Sequence, residues 1–372
     1  MKILLDDGLQ ASVGTGIGSY AAALARALSA LPDTAVSAES FSARQNRRLG
    51  RLSYLRYLSS RAYREKLTDF DAVLYANYAM PKKCPRSVLS VVTVHDLTAF
   101  SHPETLPRAY ALYNRHMVRR ALSHADVVLT VSDSIKKEIE ETFPKRRAKL
   151  LRIYPIHHGA AISGETPPTY ENHALNVLQN GRFFLFVGTL EKRKNLADAV
   201  NAFTALRANC PDTADCKLVL AGRAGFDSEA LFKLIEKSPV KGDILLPGYV
   251  SAADRKKLYR EAAAFLFPSL YEGFGSPQTE CMACGLPLLA SDIPTNREVS
   301  EGYAEFYPVG DINALAALMQ TALTCPKNRE ELAKKAVPVL EKYAPNTIAA
   351  TLRAALAAEI SKKEEQANDN SR

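Results

Sequence analysis

Two successive series of short apolar runs, each alternating with helical periodicity, constrain this 372-residue chain more than any other feature. Such alternation makes parallel strands joined by crossover helices, and a parallel sheet must be covered on both faces. The first series predicts strands at 3–5, 72–75, 89–94, 127–131 and 150–154, with helices near 19–31, 108–122 and 134–143. Ser132 or Ser134 is placed to cap the last of these. The second series predicts strands at 183–187, 217–220, 244–246, 264–267 and 288–290, with helices at 196–207, 229–236, 254–263 and 279–284. Between them, 155–181 is rich in Gly, Pro and polar residues and reads as a linker. The fold class is α/β, with two Rossmann-like, doubly wound parallel-sheet domains over 1–160 and 180–344. Helical segments follow at 312–323 and 347–360, the one at about 345–360 returning to the first domain. The charged tail 361–372 is expected to be disordered. Ligands of doubly wound sheets sit at the carboxyl ends of the strands, so the expected site is the cleft between the domains.

Composition narrows the setting. The first residues carry no secretory signal, since Lys2 is followed by only Ile-Leu-Leu before Asp6 and Asp7. No run approaches the roughly 20 apolar residues that span a bilayer. A cytoplasmic protein with, at most, peripheral membrane contact is expected. The charge is uneven: residues 1–160 carry 24 Lys and Arg against 14 Asp and Glu, whereas 161–372 carry 24 against 26. A basic first half suggests an anionic partner there, whether nucleic acid, lipid head group or phosphorylated acceptor. The six cysteines are scattered, and the CxxC of Cys281 and Cys284 has no second pair to make a zinc site. It reads as two small helix residues.

The densest chemical signal is YEGFGSPQTECMACGLPLLASD, residues 271–292. A strand ends at Pro268, a loop presents Glu272, Gly273, Phe274 and Gly275, and a helix follows with Pro277 in its first turn. The glycines let backbone approach a ligand, and the helix start offers an anion cradle. Glu272 and Glu280 flank that cradle with seven residues between them. Two carboxylates around a phosphate site suit a sugar nucleotide, with hydroxyls at both ends of its diphosphate. Either glutamate alone reads as a solvated surface residue; the glycine loop between them decides otherwise.

A second signal is FFLFVGTLEKRKNLADAV, residues 183–200. Its strand ends at Gly188, and Lys192, Arg193 and Lys194 precede the next helix. Cations at this strand end would neutralise a diphosphate leaving group. These stretches, with GTGIGSYAAALARAL (14–28) and TVHDL (93–97), resemble the retaining glycosyltransferases of family 4, whose fold is the two-domain GT-B architecture. The similarity extends over nearly the whole chain. It implies that Glu272, Gly273 and Phe274 meet the donor sugar and that Arg193, Lys194, Phe274 and Gly275 hold the diphosphate. Glu280 would bind the ribose, and the loop Gly248-Tyr249-Val250 the base. Some members carry an arginine directly after the strand glycine; here Thr189 stands there, which shifts phosphate binding onto Arg193 and Lys194.

His95 follows the apolar strand at 89–94 and should face the cleft, where the resemblance places it beside the reacting sugar. It is expected to donate a hydrogen bond or to position the acceptor hydroxyl; a buried histidine satisfied by backbone is the alternative. With Glu272, it forms the expected catalytic set. His157-His158 lacks the further ligands of a metal site. Gly14, Gly16 and Gly18 are spaced GxGxG rather than GxGxxG, with Glu39 about 20 residues on, as in dinucleotide binding. They read instead as a loop that approaches donor phosphate, Gly16 included. Arg44, Arg47, Arg48, Arg51, Arg56, Arg61, Arg64 and Lys66, interleaved with Tyr54, Tyr57 and Tyr63, fit an anionic membrane surface or an acceptor, or else a solvated face over a core stripe. No nucleic-acid recognition fold accompanies them.

The resemblance extends to bacterial mannosyltransferases of O-antigen and other surface-polysaccharide synthesis, through VGTLEKRKN (187–195) and IPTNREVSEGYAEFYPVGD (293–311). It implies a GDP-linked mannose-type donor, a lipid-linked glycan acceptor, front-face transfer with retention, and neither metal nor other cofactor. The rival readings are a nicotinamide-dependent oxidoreductase built on the GxGxG loop and a non-catalytic nucleotide-sugar-binding protein.

Overall fold

The computed structural model describes residues 1–8, 16–41, 47–157, 168–178 and 182–369. The chain divides into two compact units. Unit 1 comprises Met1–Phe100, Ala109–Ile156 and Lys342–Arg372, and unit 2 comprises Ser101–Arg108 and His157–Glu341. The described part of the linker from 157 on thus clusters with unit 2, as does a short segment from between the fourth strand and the following long helix.

Unit 1 holds strands β1 (Lys2–Gly8), β2 (Ala35–Ser40), β3 (Ala72–Tyr75), β4 (Leu89–Val94), β5 (Val127–Thr130) and β6 (Lys149–Arg152). All its pairings are parallel, in the order β2-β1-β3-β4-β5-β6. Its helices are α1 (Gly16–Ser29), α2 (Arg47–Leu58), α3 (Arg61–Leu67), the single turn α4 (Thr98–Ser101), α5 (Arg108–His124) and α6 (Asp133–Thr142). Ser132 is the cap of α6, its hydroxyl accepting from Ile135 N at 3.2 Å. Every residue of β3, β4 and β5 is buried, as strands covered on both faces must be.

Unit 2 holds β7 (Phe183–Val187), β8 (Lys217–Ala221), β9 (Ile244–Gly248), β10 (Ala264–Phe267), β11 (Leu288–Ser291) and β12 (Glu305–Tyr307), parallel in the order β12-β11-β10-β7-β8-β9. Helices α7 (Leu196–Asn209), α8 (Ser228–Lys237), α9 (Ala252–Glu261), α10 (Ser276–Ala283), α11 (Pro294–Ser300), α12 (Ile312–Thr324) and α13 (Arg329–Glu341) connect and flank them. The order reverses between β7 and β10, the first and fourth strands of this sheet. That topological switch point is where a doubly wound sheet opens a crevice. Gly222, just after β8, crosses the end of β7 so closely that a Cβ there would lie 1.7 Å from Gly188 O.

The predicted strands all form. Two more, β2 and β12, were not expected, and both are sheet edges: AVSAES and EFY lack the apolar run that marks an interior strand. The last helix, α14 (Pro345–Asp369), buries Ile348, Ala349, Leu352 and Leu356 in one core with Leu24 and Leu28 of α1. It corrects the expectation of a disordered tail over 361–369, since the helix continues to Asp369, while 370–372 lie outside the described residues. Charge rather than apolar surface anchors it. Lys363 Nζ donates to Asp126 Oδ2 at 2.6 Å and Val88 O at 2.8 Å, and Glu359 pairs with Lys149 at 2.6 Å and Lys362 at 3.0 Å. Among the described residues no helix is long and apolar enough to cross a membrane.

Candidate active site

In unit 2 the switch point carries the charge cluster. After β7, Lys192–Lys194 form a tight 3-10 turn ending at Asn195, whose left-handed backbone (φ 49°) redirects the chain into α7. After β10, the loop runs Pro268–Gly275, and Leu270 N bonds Arg193 O at 2.9 Å, tying the two strand ends together. Glu272 is buried and accepts from Lys194 Nζ at 2.5 Å, Arg193 Nη1 at 2.9 Å and Ser269 Oγ at 2.6 Å. Arg193 also donates to Tyr271 O and to Glu191 Oε1, each at 2.7 Å. Burial alone would raise the Glu272 carboxyl, but Lys194 and Arg193 hold it down at about 2. Burial in turn lowers the Lys194 ammonium, as does neighbouring Arg193, while Glu272 supports its charge. Sequence reasoning sent Glu272 and the two cations separately to a ligand; in the structure they bind one another.

A web of buried side chains holds the loop from behind. Thr295 Oγ1 donates to Glu272 O at 2.9 Å, Ser291 Oγ to Ser269 O at 2.6 Å, Asn296 Nδ2 to Ser291 O at 2.9 Å, and Gln278 Nε2 to Asn296 Oδ1 at 3.1 Å. Gly275 turns the chain into α10 with φ 84°, and a Cβ there would meet Gln278 Nε2 at 2.5 Å. Gly273 and Phe274 precede it, with the Phe274 ring buried.

Glu280, one turn into α10, sits in the opposite electrostatic setting. It is 4% exposed. It pairs with Arg255 Nη1 of α9 at 3.4 Å, and its Oε2 is buried with no hydrogen-bond partner. Burial raises its carboxyl above the ordinary range, and Arg255 and the neighbouring Tyr259 hydroxyl offset this only in part. A buried carboxylate oxygen without a donor is expensive unless a ligand supplies one. Beside the β9 end, Tyr249 is 69% exposed with the guanidinium of Arg223 at 4.8 Å from its ring centre, while Val250 is buried. Ser269, Arg255 and Arg223 were not singled out from the sequence. The partners of Arg255 and Arg223 lie on other elements, with no local spacing to announce them, whereas Ser269 meets Glu272 three residues on in the same loop. Cys281 and Cys284 carry thiols that burial pushes upward, Cys284 to about 11. Cys281 Sγ donates to Leu286 O at 3.0 Å, which suits a structural role.

In unit 1, His95 follows β4 and is half-buried. Its Nε2 lies 2.8 Å from Ala76 O and its ring meets Tyr20 edge-on at 4.9 Å. A carbonyl only accepts, so Nε2 carries the proton and the neutral ring keeps Nδ1 as an acceptor. Burial lowers the imidazole's pKa and favours that neutral form. The ring's free nitrogen can therefore accept from a hydroxyl, not donate to one, which corrects half of the expectation. Gly16 begins α1, while Gly14 lies outside the described residues.

Glu39 ends β2 where a ribose-binding acid would stand, but its oxygens are taken by Tyr57 OH at 2.5 Å and Lys66 Nζ at 2.6 Å. The tyrosines of the basic segment are anchors too. Tyr54 OH and Tyr63 OH each donate to buried Asp6 at 2.6 Å. Arg47, Arg48 and Arg51 fall on α2 with side chains outside the described part, as Arg44 and His158 are altogether.

Two six-stranded parallel sheets with a charge cluster at a switch point are the arrangement of a glycosyltransferase of GT-B class. Comparison with known proteins agrees. Residues 171–337 match the model for glycosyl transferases group 1, and residues 14–156 the model for Glycosyltransferase Family 4. The chain is 30% identical over 288 residues to O-antigen chain mannosyltransferase B of Escherichia coli, covering 74% of this chain and 71% of that one. It is 26% identical to O-antigen chain mannosyltransferase RfbU of Salmonella typhimurium, covering 56% of this chain and about half (53%) of that one. The fold of Anabaena HepE, solved with UDP and glucose, superposes with a TM-score of 0.72 at 16% identity, over 96% of this chain and all of that one. The chain belongs to glycosyltransferase family 4.

Proposed function

We propose that the chain moves a mannose-type sugar, deoxy and amino derivatives included, from a GDP-linked donor to a hydroxyl of a lipid-linked glycan in O-antigen or related polysaccharide synthesis. The observation that carries this reading is the pair of glutamates around α10. Glu272 is locked to two cations at the switch point, and Glu280 is buried with an oxygen awaiting a donor. In this reading Glu280 accepts from ribose hydroxyls, Tyr249 and Val250 border the base, and Glu272 with Gly273 and Phe274 meets the donor sugar. Arg193, Lys194, the backbone N–H groups of Phe274 and Gly275, and Gly16 stabilise charge on the departing diphosphate. The names of the relatives support mannose as the sugar.

Front-face attack with retention, rather than a covalent glycosyl-enzyme, is the reading supported by the setting of Glu272. A carboxylate held at about 2 by two cations is a weak nucleophile. The leaving diphosphate then takes the acceptor's proton while His95 Nδ1 accepts a hydrogen bond that orients the sugar. The two cations do the electrostatic work that a metal ion would otherwise do. Contact with an anionic membrane surface is supported by the exposed Arg56 and Arg64 and by the basic balance of the first half. The buried tyrosines take no part in it.

The deciding experiment is calorimetric titration with GDP, UDP, ADP and NAD. Preference for GDP, weakened by Lys194→Ala and by Glu280→Ala, is expected. Preference for UDP or ADP discards the donor, and binding of NAD alone discards the enzyme class.

A further inference from the structure

One face of α5 changes character along its length. Its lower turns bury Met117 and Ala121 in the core, at 2% and 0% exposure. One and two turns earlier the same stripe presents Tyr110, Tyr113 and Asn114, all partly exposed. In a β-helix-β crossover the start of the helix lies at the carboxyl edge of the sheet, so these residues stand where the strand ends carry function. Tyr78 reaches them from the β3 end, its N–H donating to Asn77 Oδ1 at 2.7 Å. Tyr78 OH donates to Asn114 Oδ1, and its ring lies 6.5 Å from that of Tyr113 at a steep angle. Burial and the nearby Tyr110, Tyr113 and Asp96 oxygens push the Tyr78 phenol upward. This chain of contacts leads to His95, whose Nε2 donates to Ala76 O, directly before Asn77.

Partly exposed aromatic rings with fixed amides among them make a surface that is apolar in one direction and hydrogen-bonding in another. A pyranose has that pattern, with C–H groups on one face and hydroxyls around its rim. A purely structural cluster would be closed over, as Met117 and Ala121 are. Resting on the glycosyl transfer proposed above, the geometry points to the Tyr78–Tyr110–Tyr113–Asn114 cluster as the subsite for the acceptor's terminal, uncharged sugar. Tyr113 and Tyr110 supply the stacking faces, and the Asn114 amide, its oxygen already held by Tyr78, reads a hydroxyl through its N–H groups.

The test is ligand-observed NMR titration of the full chain with the methyl glycoside of an α-linked mannobiose, alongside GDP calorimetry. Wild type is expected to bind the disaccharide. The Tyr110→Ala/Tyr113→Ala double variant is expected to bind it about 10-fold more weakly or worse, with GDP affinity within about 2-fold of wild type. A double variant that binds the disaccharide as wild type does, or a wild type that does not bind it, overturns the proposal. Should the double variant not fold, two single changes decide. Tyr113→Phe keeps the ring and is expected to hold affinity, while Tyr113→Leu keeps apolar volume without the ring and is expected to lose about 10-fold. Equal affinities for those two overturn it as well. Failure of GDP to bind wild type sinks the donor reading alone, because the disaccharide comparison stands without it.

Discussion

Glu272→Gln removes the one negative charge that Arg193 and Lys194 share, without changing the shape of the loop. The interval between about 2 and the ordinary 4.5 of this carboxyl corresponds to roughly 3 kcal/mol of folding free energy. The sign follows from the depression. The ionised form is favoured in the folded state, so the contribution is complete above pH 4.5 and is lost as pH falls through the folded value. About three quarters of it survives at pH 4 and almost none at pH 2. The glutamine variant lacks this dependence and takes the carboxylate from two largely buried cations, a loss on the scale of about 3–5 kcal/mol for a broken buried pair. The chain has no tryptophan, so urea unfolding is followed by far-UV circular dichroism and tyrosine fluorescence, and the two units are fitted as separate transitions. The unit 2 midpoint of the variant is expected well below wild type at pH 7, with the gap closing toward pH 3. Superimposed curves at pH 7, or a gap that stays constant as the pH falls, would refute the assignment of Glu272 as the counter-ion of both cations.

Three further outcomes are expected. His95→Ala should cut transfer at least about 100-fold with GDP affinity nearly unchanged, and the wild-type rate should fall only below pH 6.5, since burial lowers that imidazole and its neutral form is the acceptor. Asp6→Asn should flatten the stability profile of unit 1 between about pH 4 and 6. Burial raises that carboxyl to about 6, so its protonated form adds stability that is lost as pH rises through that value; a profile unchanged by the substitution contradicts this. Truncation after residue 360 should lower the unit 1 melting temperature measurably, because Lys363 then no longer bridges Asp126 and the end of the β3–β4 connection; an unchanged melting temperature would restore the tail to irrelevance.

What the sequence disclosed and what it withheld divide along physical lines. Interior strands such as LSVVTV declare themselves because both faces are buried, whereas AVSAES, at an edge, has no such obligation. Glu272 and Arg193 were each legible as site residues, since a glycine loop and a basic turn stand at strand ends. That they neutralise each other was not, because 79 positions separate them and only the adjacency of β7 and β10 joins them. The tyrosines of 54–63 looked interfacial beside so many arginines. Their acid partners, Asp6 and Glu39, lie on strands far upstream, and no local pattern shows a hydroxyl facing inward. The tail misled for the same reason: its low apolar content was visible, its contact with Asp126 was not.

Glu272 and Glu280 belong to one motif yet sit at opposite ends of the electrostatic scale, and the difference has a measurable consequence at the nucleotide. Glu280 is raised by burial, which Arg255 at 3.4 Å and the neighbouring Tyr259 hydroxyl offset only in part, and its Oε2 is buried without a hydrogen-bond partner. Hydroxyl donors from a ribose favour the ionised form, so binding must pull that carboxyl down and release a proton wherever it was partly protonated. GDP affinity is therefore expected to rise with pH from 4.5 toward neutrality. Calorimetry at pH 5 in buffers of different ionisation enthalpy should show net proton release that Glu280→Gln abolishes. Proton release of equal size in the glutamine variant would place the linkage on another group and remove Glu280 from the ribose.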